Sequence, residues 1–172
     1  FWSGGKINKI NIDTKQLTNI PFQVNEKIKL AKTLRVKRKV FEESFTSKMI
    51  KDAKTSPDGK TLVFTSLGHI YKREIPNGTP QRITKLTDFE GEPNFSPDGT
   101  SIVFVTWNDE NLGAIYTSNL NGSNLQKLTT KKGIYRTPSF DNTGSKITYR
   151  KESGNGDQGF DFSIDTGLYI AD

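Results

Sequence analysis

The chain has 172 residues, enough for one domain of ordinary size with a core of its own. It contains no cysteine, which excludes disulfides and thiolate metal sites, and no apolar run approaches the roughly 18 residues of a membrane span. The formal net charge of +6 comes from residues 26–54, where ten Lys or Arg accompany four Asp or Glu. The rest of the chain balances to zero, so the basic character belongs to one segment.

Residues 1–20 contain two short predicted strands, over Gly5–Ile12 and Gln16–Thr18, with a turn between them. Their order and their Leu-Thr ending match the last two strands of the repeats that follow. We therefore interpret residues 1–20 as the outer strands of a truncated repeat. The chain begins with Phe1 and shows no signal-like segment, so we expect it to be a piece of a longer protein.

Residues 21–50 form a basic extended insertion that leads into the first repeat. Apolar residues at 28, 30, 34 and 36 alternate with basic ones, which is typical of a strand with one wet face. We interpret this segment as a structural or inter-domain docking strand. A polyanion or membrane-surface contact is the alternative. Sequence-specific nucleic-acid binding is disfavoured because no aromatic residue lies among the charges, and Phe41 and Phe45 follow only after them.

A tetrapeptide Ser-Pro-Asp-Gly occurs at 56–59 and again forty residues later at 96–99, and a divergent copy, Asp-Asn-Thr-Gly, occurs at 141–144. In such a turn Ser bonds backbone amides, Pro presets φ, and Gly accepts the positive φ that closes a hairpin. An apolar strand follows each copy, then an aromatic strand that contains Ile-Tyr or Leu-Tyr. Asn77-Gly78 and Asn121-Gly122 predict tight hairpins before the last strand.

Each full unit is therefore four antiparallel strands, and a period of about 40 residues with this pattern indicates the blades of a β-propeller. We predict blades at 51–87 and 88–130, and at 131–172 a blade that lacks its last strand. The fold class is all-β, a partial propeller of about three blades truncated at both ends. A closed propeller needs at least four blades, so open edges invite self-association or cover by other chain segments. The side chains expected to pack blade against blade are Val63, Phe64, Phe95, Val103, Phe104, Phe140, Ile147 and Tyr149.

Residues that carry catalytic chemistry are scarce. His69 is the only histidine, so a histidine metal cluster is excluded, and we interpret His69 as a strand-edge residue after a glycine turn. Asp157, Asp161 and Asp165 lie four apart, which does not fit a calcium loop, and we interpret them as part of a solvated hairpin loop. We predict no catalytic, metal or cofactor-binding residue in this segment.

Asp109 and Glu110 follow Trp107 at a predicted hairpin tip. We interpret the two acidic residues as an exposed tip. The alternatives are a ligand-binding rim and a pair of carboxylates for hydrolysis of sugars, and sequence spacing does not give the separation that such chemistry needs.

The Ser-Pro-Asp-Gly turn, the Ile-Tyr strand and the Leu-Thr ending resemble the WD-like propeller repeats of TolB and its relatives. Such repeats also occur in tricorn-like proteases. The segments 1–7, 67–71 and 106–115, in this order, and the glycine-rich loop near 153–160 resemble the N-terminal propeller of a group of secreted bacterial amidohydrolases. This resemblance covers nearly the whole chain and implies a periplasmic or extracellular location.

We accordingly expect a non-catalytic propeller module that scaffolds or gates an enzyme domain of a larger exported hydrolase. Its partners would be the remaining blades and that enzyme domain, with no cofactor in this segment. Two alternatives remain open. One is a separate periplasmic TolB-like propeller that binds a protein partner. The other is a propeller hydrolase that uses carboxylates of its channel.

Overall fold

The computed structural model describes residues 1–152 and 165–171, and these contain only β-strands and connections. No helix among them has the length and apolar character to cross a membrane. The chain divides into two compact units, Phe1–Glu43 and Ser44–Asp172. The strands are β1 (Trp2–Ser3), β2 (Lys6–Ile10), β3 (Leu17–Ile20), β4 (Lys51–Thr55), β5 (Thr61–Ser66), β6 (His69–Glu74), β7 (Gln81–Arg82), β8 (Phe89–Phe95), β9 (Ser101–Asn108), β10 (Leu112–Asn119), β11 (Gln126–Lys127), β12 (Ile134–Phe140), β13 (Ile147–Glu152) and β14 (Gly167–Ala171).

The first unit contains one antiparallel sheet in the order β1-β2-β3. The two strands predicted here are present as β2 and β3, and Ile10 pairs with Leu17 across them. The short strand β1, in which Trp2 pairs with Ile7, is an addition that the sequence did not suggest. Its two residues are Trp and Ser, and so short a strand leaves no alternating pattern to detect.

The strand predicted around residues 28–36 does not form within the described chain, because residues 21–50 contain no strand. The interpretation of this segment as a docking strand stays a prediction. A strand is held by a ladder of hydrogen bonds to a neighbour, and no sheet of the described chain pairs with this segment. Its apolar side chains are exposed, and Leu34 retains 96% of its accessible surface. The alternation of side chains is therefore present without the sheet that would make it a strand.

The second unit consists of three consecutive antiparallel sheets. Their strand orders are β4-β5-β6-β7, β8-β9-β10-β11 and β12-β13-β14, and we call them blades 1, 2 and 3. The first strands lie side by side from blade to blade, since β4 contacts β8 and β8 contacts β12. In a propeller the strands nearest the axis line the channel, which assigns β4, β8 and β12 to that position. This arrangement confirms the predicted all-β partial propeller.

Two apolar clusters hold the blades together. Between blades 1 and 2 the buried residues are Val63, Ile70, Ile83, Phe95, Ile102 and Phe104. Between blades 2 and 3 they are Val103, Val105, Ile115, Tyr135 and Ile147, with Phe140 and Tyr149 packed against them. Because successive residues of a strand point to opposite faces, Val103 and Phe104 of β9 serve different clusters. One strand thus fastens its blade to both neighbours.

Phe64 departs from the predicted packing. It is buried, but it belongs to neither inter-blade cluster. Its ring stacks on Tyr71 at a centroid distance of 5.9 Å, and both rings line a cavity of about 340 Å³ together with Ile50 and Pro80. Phe64 occupies the blade 1 position that Phe104 occupies in blade 2. Phe104 packs against residues of blade 1, whereas Phe64 borders a cavity that Ser47 and Ile50 also line.

The repeated turns have the predicted conformation. The φ angles of Gly59, Gly99 and Gly144 are 72°, 71° and 75°, and the amide of Gly59 donates to the Ser56 carbonyl over 2.9 Å. The positive φ predicted for the glycines is therefore confirmed. A Cβ added to Gly99 would lie 3.3 Å from Cδ of Pro57, so the turn of blade 2 also contacts the turn of blade 1.

The serine and aspartate of the turn form a local hydrogen-bond unit. Ser56 Oγ accepts from the Thr61 amide over 2.9 Å and donates to Asp58 Oδ1 over 2.6 Å. The hydrogen bond from Ser56 and a second from the Lys60 amide hold the pKa of the Asp58 carboxyl below its usual value. Ser96 and Asp98 repeat the arrangement in blade 2.

Blade 3 keeps this unit with the two side-chain types exchanged. Asp141 takes the place of the serine, and its Oδ1 accepts from the Lys146 amide over 3.1 Å. Thr143 takes the place of the aspartate and donates from Oγ1 to Asp141 Oδ2 over 2.7 Å. A hydroxyl and a carboxylate are needed in either order, which explains why the divergent third copy makes the same turn.

Turns are present at both Asn-Gly pairs, as predicted, and they lie within longer connections. Gly78 lies in the connection 75–80 and Gly122 in the connection 120–125, and both are longer than a two-residue hairpin. The amide of Gly78 donates to the Glu74 carbonyl, and that of Gly122 to the Asn119 carbonyl. The Asn-Gly pairs therefore close local turns at the start of longer loops. The strands β7 and β11 that follow are two residues long, so they do not impose a tight register.

Candidate functional site

A β-bulge interrupts the first strand of every blade at the same position. Within each bulge one residue with a side chain has a positive φ, namely Asp52 at 52°, Glu92 at 51° and Thr137 at 50°. A residue with a Cβ pays about 1–2 kcal/mol in this left-handed region. Strain of this kind persists only where the surroundings impose it, and it concentrates at functional positions. Because the positive φ occurs in all three bulges, we interpret it as a regular feature of the repeat.

The bulges are joined across blades by carboxylates. Asp52 Oδ2 accepts from the amide of Glu92 over 3.3 Å, and Glu92 Oε2 accepts from the amide of Thr137 over 2.5 Å. The bulge amides of blades 2 and 3 are thus each bonded to the acidic side chain of the bulge in the preceding blade. We call Asp52, Glu92 and Thr137 the bulge ladder. It ties the innermost strands of three blades together through charge-assisted hydrogen bonds.

Two arginine side chains of blade 3 form ion pairs next to the bulge ladder. Arg136 Nη1 donates to Glu92 Oε1 over 2.9 Å, and its Nε lies 3.9 Å from Glu152 Oε2. Arg150 also pairs with Glu152. Glu92 therefore binds a backbone amide with one oxygen and a guanidinium with the other. Both of its oxygens are engaged in contacts between blades 2 and 3.

Two cavities adjoin the ladder, and Asp52 and Glu92 line both. One, of about 570 Å³, lies between blades 1 and 2 and is also lined by Ser66, Phe89 and Arg136. The other, of about 500 Å³, is formed by the first strands of all three blades. Both volumes fall in the range of small-molecule pockets. The mixture of charges around them suits a polar ligand or a polar segment of a protein.

A buried carboxylate reinforces the contact between blades 1 and 2. The side chain of Glu90 is fully buried, and its Oε2 accepts from the Ile70 amide over 3.0 Å. Its Oε1 accepts from the hydroxyl of Thr84. His69 begins β6 directly after a glycine turn, as predicted, and its Nδ1 lies 3.5 Å from Glu90 Oε2. The single histidine therefore borders an inter-blade hydrogen-bond group.

Where the structure describes them, the other acidic residues singled out in the sequence do not join a common site. Asp109 Oδ1 accepts from Trp107 Nε1 over 3.1 Å at the tip of the β9–β10 hairpin, in agreement with the exposed-tip interpretation. Asp165 pairs with Lys131 over 3.4 Å, and the other two loop aspartates, Asp157 and Asp161, lie outside the described residues. Within residues 1–152 and 165–171 no group of three or more potential metal ligands comes together.

Three tyrosines stack at the boundary of blades 2 and 3. The ring centroid of Tyr149 lies 5.7 Å from that of Tyr169, and these two rings are stacked. It lies 5.6 Å from the centroid of Tyr135, which meets Tyr149 edge to face. Burial raises the pKa of Tyr135 and of Tyr149. The Tyr135 hydroxyl donates to the Lys131 carbonyl over 2.7 Å. These rings line a cavity of about 220 Å³, and their mutual contacts make them part of the blade packing.

Sequence reasoning missed the residues of the bulge ladder and Glu90. One signal was present, because Asp52 and Glu92 are forty residues apart, the same interval as the two Ser-Pro-Asp-Gly turns. That interval puts two acidic residues at one position of consecutive repeats. The bulge and the bond to the next blade could not be seen, since both depend on how neighbouring sheets approach each other.

Comparison with known proteins agrees with this architecture. The crystal structure of TolB from Acinetobacter baumannii is similar with a TM-score of 0.56 at 24% sequence identity, over 71% of this chain and 29% of that protein. The crystal structure of the tricorn protease is similar with a TM-score of 0.53 at 14% identity, over 85% of this chain and 13% of that protein. The chain thus spans less than a third of either, and both likenesses concern the fold.

A family model described as the TolB beta propeller domain matches residues 9–168. This range includes the repeated turns, the bulge ladder and both inter-blade clusters. The chain therefore belongs to the TolB beta propeller domain family.

Proposed function

We propose that this chain is the non-catalytic propeller module of a larger exported bacterial hydrolase of the amidohydrolase type. Its role is to scaffold or gate an enzyme domain that lies elsewhere in the same protein. The resemblance of residues 1–7, 67–71 and 106–115 to amidohydrolase-linked propellers supports the link to that enzyme class. A periplasmic or extracellular location is part of the same proposal.

The hydrogen bonds made by the channel carboxylates Asp52 and Glu92 are the observation that supports the scaffold role. A hydrolase that worked through Asp52 and Glu92 would need their oxygens free to move protons or to attack a substrate. Here Glu92 has one oxygen on the Thr137 amide and the other on Arg136, while Asp52 accepts from the amide of Glu92. These bonds hold each carboxylate to a neighbouring blade. They favour a mechanical function of the ladder.

A separate propeller protein that binds a partner through one face is the second candidate. The 570 Å³ cavity favours it, because charged and apolar side chains such as Lys51, Arg136 and Phe89 line the same opening. Such a surface is suited to a polypeptide segment as well as to a small polar molecule. This candidate needs no enzyme domain in the same protein.

The complete reading frame that encodes this chain separates the two candidates. The proposal expects a domain with a His-x-His motif outside these residues, and hydrolase activity of the whole protein that a chelator abolishes. The 172-residue chain alone is expected to show no such activity. A frame that ends after further blades, with no enzyme domain, would favour the separate binding propeller and overturn the proposal.

A further inference from the structure

Residues 27–37 contain no helix or strand, and their sequence alternates between two chemically distinct rows of side chains. One row is apolar and contains Ile28, Leu30, Leu34 and Val36. The other row is mainly basic and contains Lys27, Lys29, Arg35 and Lys37. In an extended chain these rows point in opposite directions, since successive side chains alternate. We call residues 27–37 the amphipathic segment.

The apolar side chains of the segment are exposed in the described part of the chain. Leu30 retains 88% and Leu34 96% of its accessible surface. No strand of the described residues pairs with it, so its backbone takes part in no sheet. Apolar rows of this length are rarely left in water without a binding role. The segment therefore has three requirements that the described structure does not meet. These are apolar contacts for its apolar row, acidic groups for its basic row, and a neighbouring strand that forms hydrogen bonds with its backbone.

We propose that the amphipathic segment binds a protein partner by adding a strand to an exposed sheet edge, whose flanking residues are apolar on one face and acidic on the other. Strand addition supplies backbone hydrogen bonds, while alternate side chains fill apolar and charged positions. A lipid surface would accept the two rows of side chains, but an unpaired extended backbone is costly to bury in hydrocarbon. Only a sheet edge meets all three requirements.

The positive charge of the amphipathic segment argues against a second copy of the chain as its binding partner. Two amphipathic segments paired with their apolar rows on one face would bring Lys and Arg side chains opposite each other, which is destabilising. Lys32 lies within the apolar row, and an inward charge of this kind also discourages edge-to-edge association of identical strands. The partner is therefore acidic. The inference holds whether the partner is an enzyme domain of the same protein or a separate one.

The test measures amide hydrogen exchange of the whole chain in the presence of a soluble peptide of alternating Val and Glu, which serves as the acidic strand. Exchange within residues 27–37 is expected to slow by about tenfold or more, because strand pairing protects the amides. A peptide of the same composition with its Glu residues in one block is the matched control, and it is expected to give no such protection.

A composition-matched variant tests the alternation itself. Ile28→Lys with Lys29→Ile, and Leu34→Arg with Arg35→Leu, keep the charge and interrupt both rows. These positions are exposed, apart from any sheet, so the folded blades are expected to stay unchanged. The variant should lose the protection given by the alternating peptide.

Three results would overturn the proposal. The first is no slowing of exchange in residues 27–37 with the alternating peptide. The second is equal protection of the row-interrupted variant, which would show that charge alone suffices. The third is protection by vesicles of phosphatidylglycerol and phosphatidylcholine in equal parts without protection by the peptide, which would assign the segment to a lipid surface.

Discussion

Replacement of Glu92 by alanine removes the central bond of the bulge ladder. The hydrogen bond from the Thr137 amide to the carboxylate contributes about 1.5–3 kcal/mol, as bonds to charged groups do. Arg136 is half exposed, so its ion pair with Glu92 adds only about 0–1 kcal/mol. Glu92→Ala should therefore lower the free energy of unfolding by about 2–3 kcal/mol.

Replacement by glycine separates the bond from the backbone strain. Glu92→Gly loses the same hydrogen bonds, but glycine adopts the observed φ of 51° without the Cβ clash. The strain relieved is about 1 kcal/mol, so the glycine variant should be more stable than the alanine variant by about that amount. Only a residue held in the left-handed region gives this order, because glycine is otherwise the more destabilising of the two in a strand.

Urea unfolding followed by tryptophan fluorescence measures both differences. The chain has two tryptophans, and a Trp2→Phe background leaves Trp107 in β9 as the reporter of the blades. Glu110→Ala at the exposed tip of the β9–β10 hairpin is the control, expected within about 0.5 kcal/mol of the parent. A value for Glu92→Ala within that range would contradict the bridging hydrogen bond, and a Glu92→Gly variant less stable than Glu92→Ala would contradict the backbone strain.

Three further perturbations test the packing and the turns. Phe104→Ala should cost about 3–5 kcal/mol by urea unfolding, because this ring is fully buried between blades 1 and 2; a cost below about 1 kcal/mol would contradict that cluster. Gly99→Ala should be more destabilising than Gly59→Ala in thermal melts, because both glycines have a positive φ but only a Cβ at Gly99 would approach the preceding turn, at 3.3 Å. The pKa of Asp98 is lowered, chiefly by the hydrogen bond from Ser96, so its contribution to stability is present above the ordinary carboxyl pKa of about 3.9 and is lost as the pH falls through the lowered value. Asp98→Asn should reduce the loss of stability on acidification to about pH 2, and an unchanged acid dependence would contradict the hydrogen-bond assignment.

The fold could be predicted from the sequence because the repeated turn is a local device. Ser56, Pro57 and Gly59 set a backbone geometry that depends on residues within a few positions, and the same residues recur forty positions later. Counting strands from that turn gave the order within each blade. Blade-to-blade packing followed in outline, since Val103 and Phe104 lie on opposite faces of one strand.

What the sequence did not reveal depends on contacts between sheets. The Asp52 and Glu92 carboxylates look like ordinary surface charges until the bulges place each of them against the next blade. Phe64 stacks on Tyr71 as Phe104 stacks on Tyr116, but only Phe104 joins an inter-blade cluster. For residues 28–36, alternation gives the direction of side chains, whereas a strand also needs a neighbour.

We propose that the channel carboxylates serve the structure of the propeller and do no chemistry. The most direct test of this proposal is a hydrolysis assay of the 172-residue chain and of an Asp52→Asn, Glu92→Gln variant on chromogenic peptide, ester and glycoside substrates. No turnover above buffer is expected for either protein, together with lower stability of the variant. Turnover by the unaltered chain that disappears in a variant that remains folded would contradict the proposal.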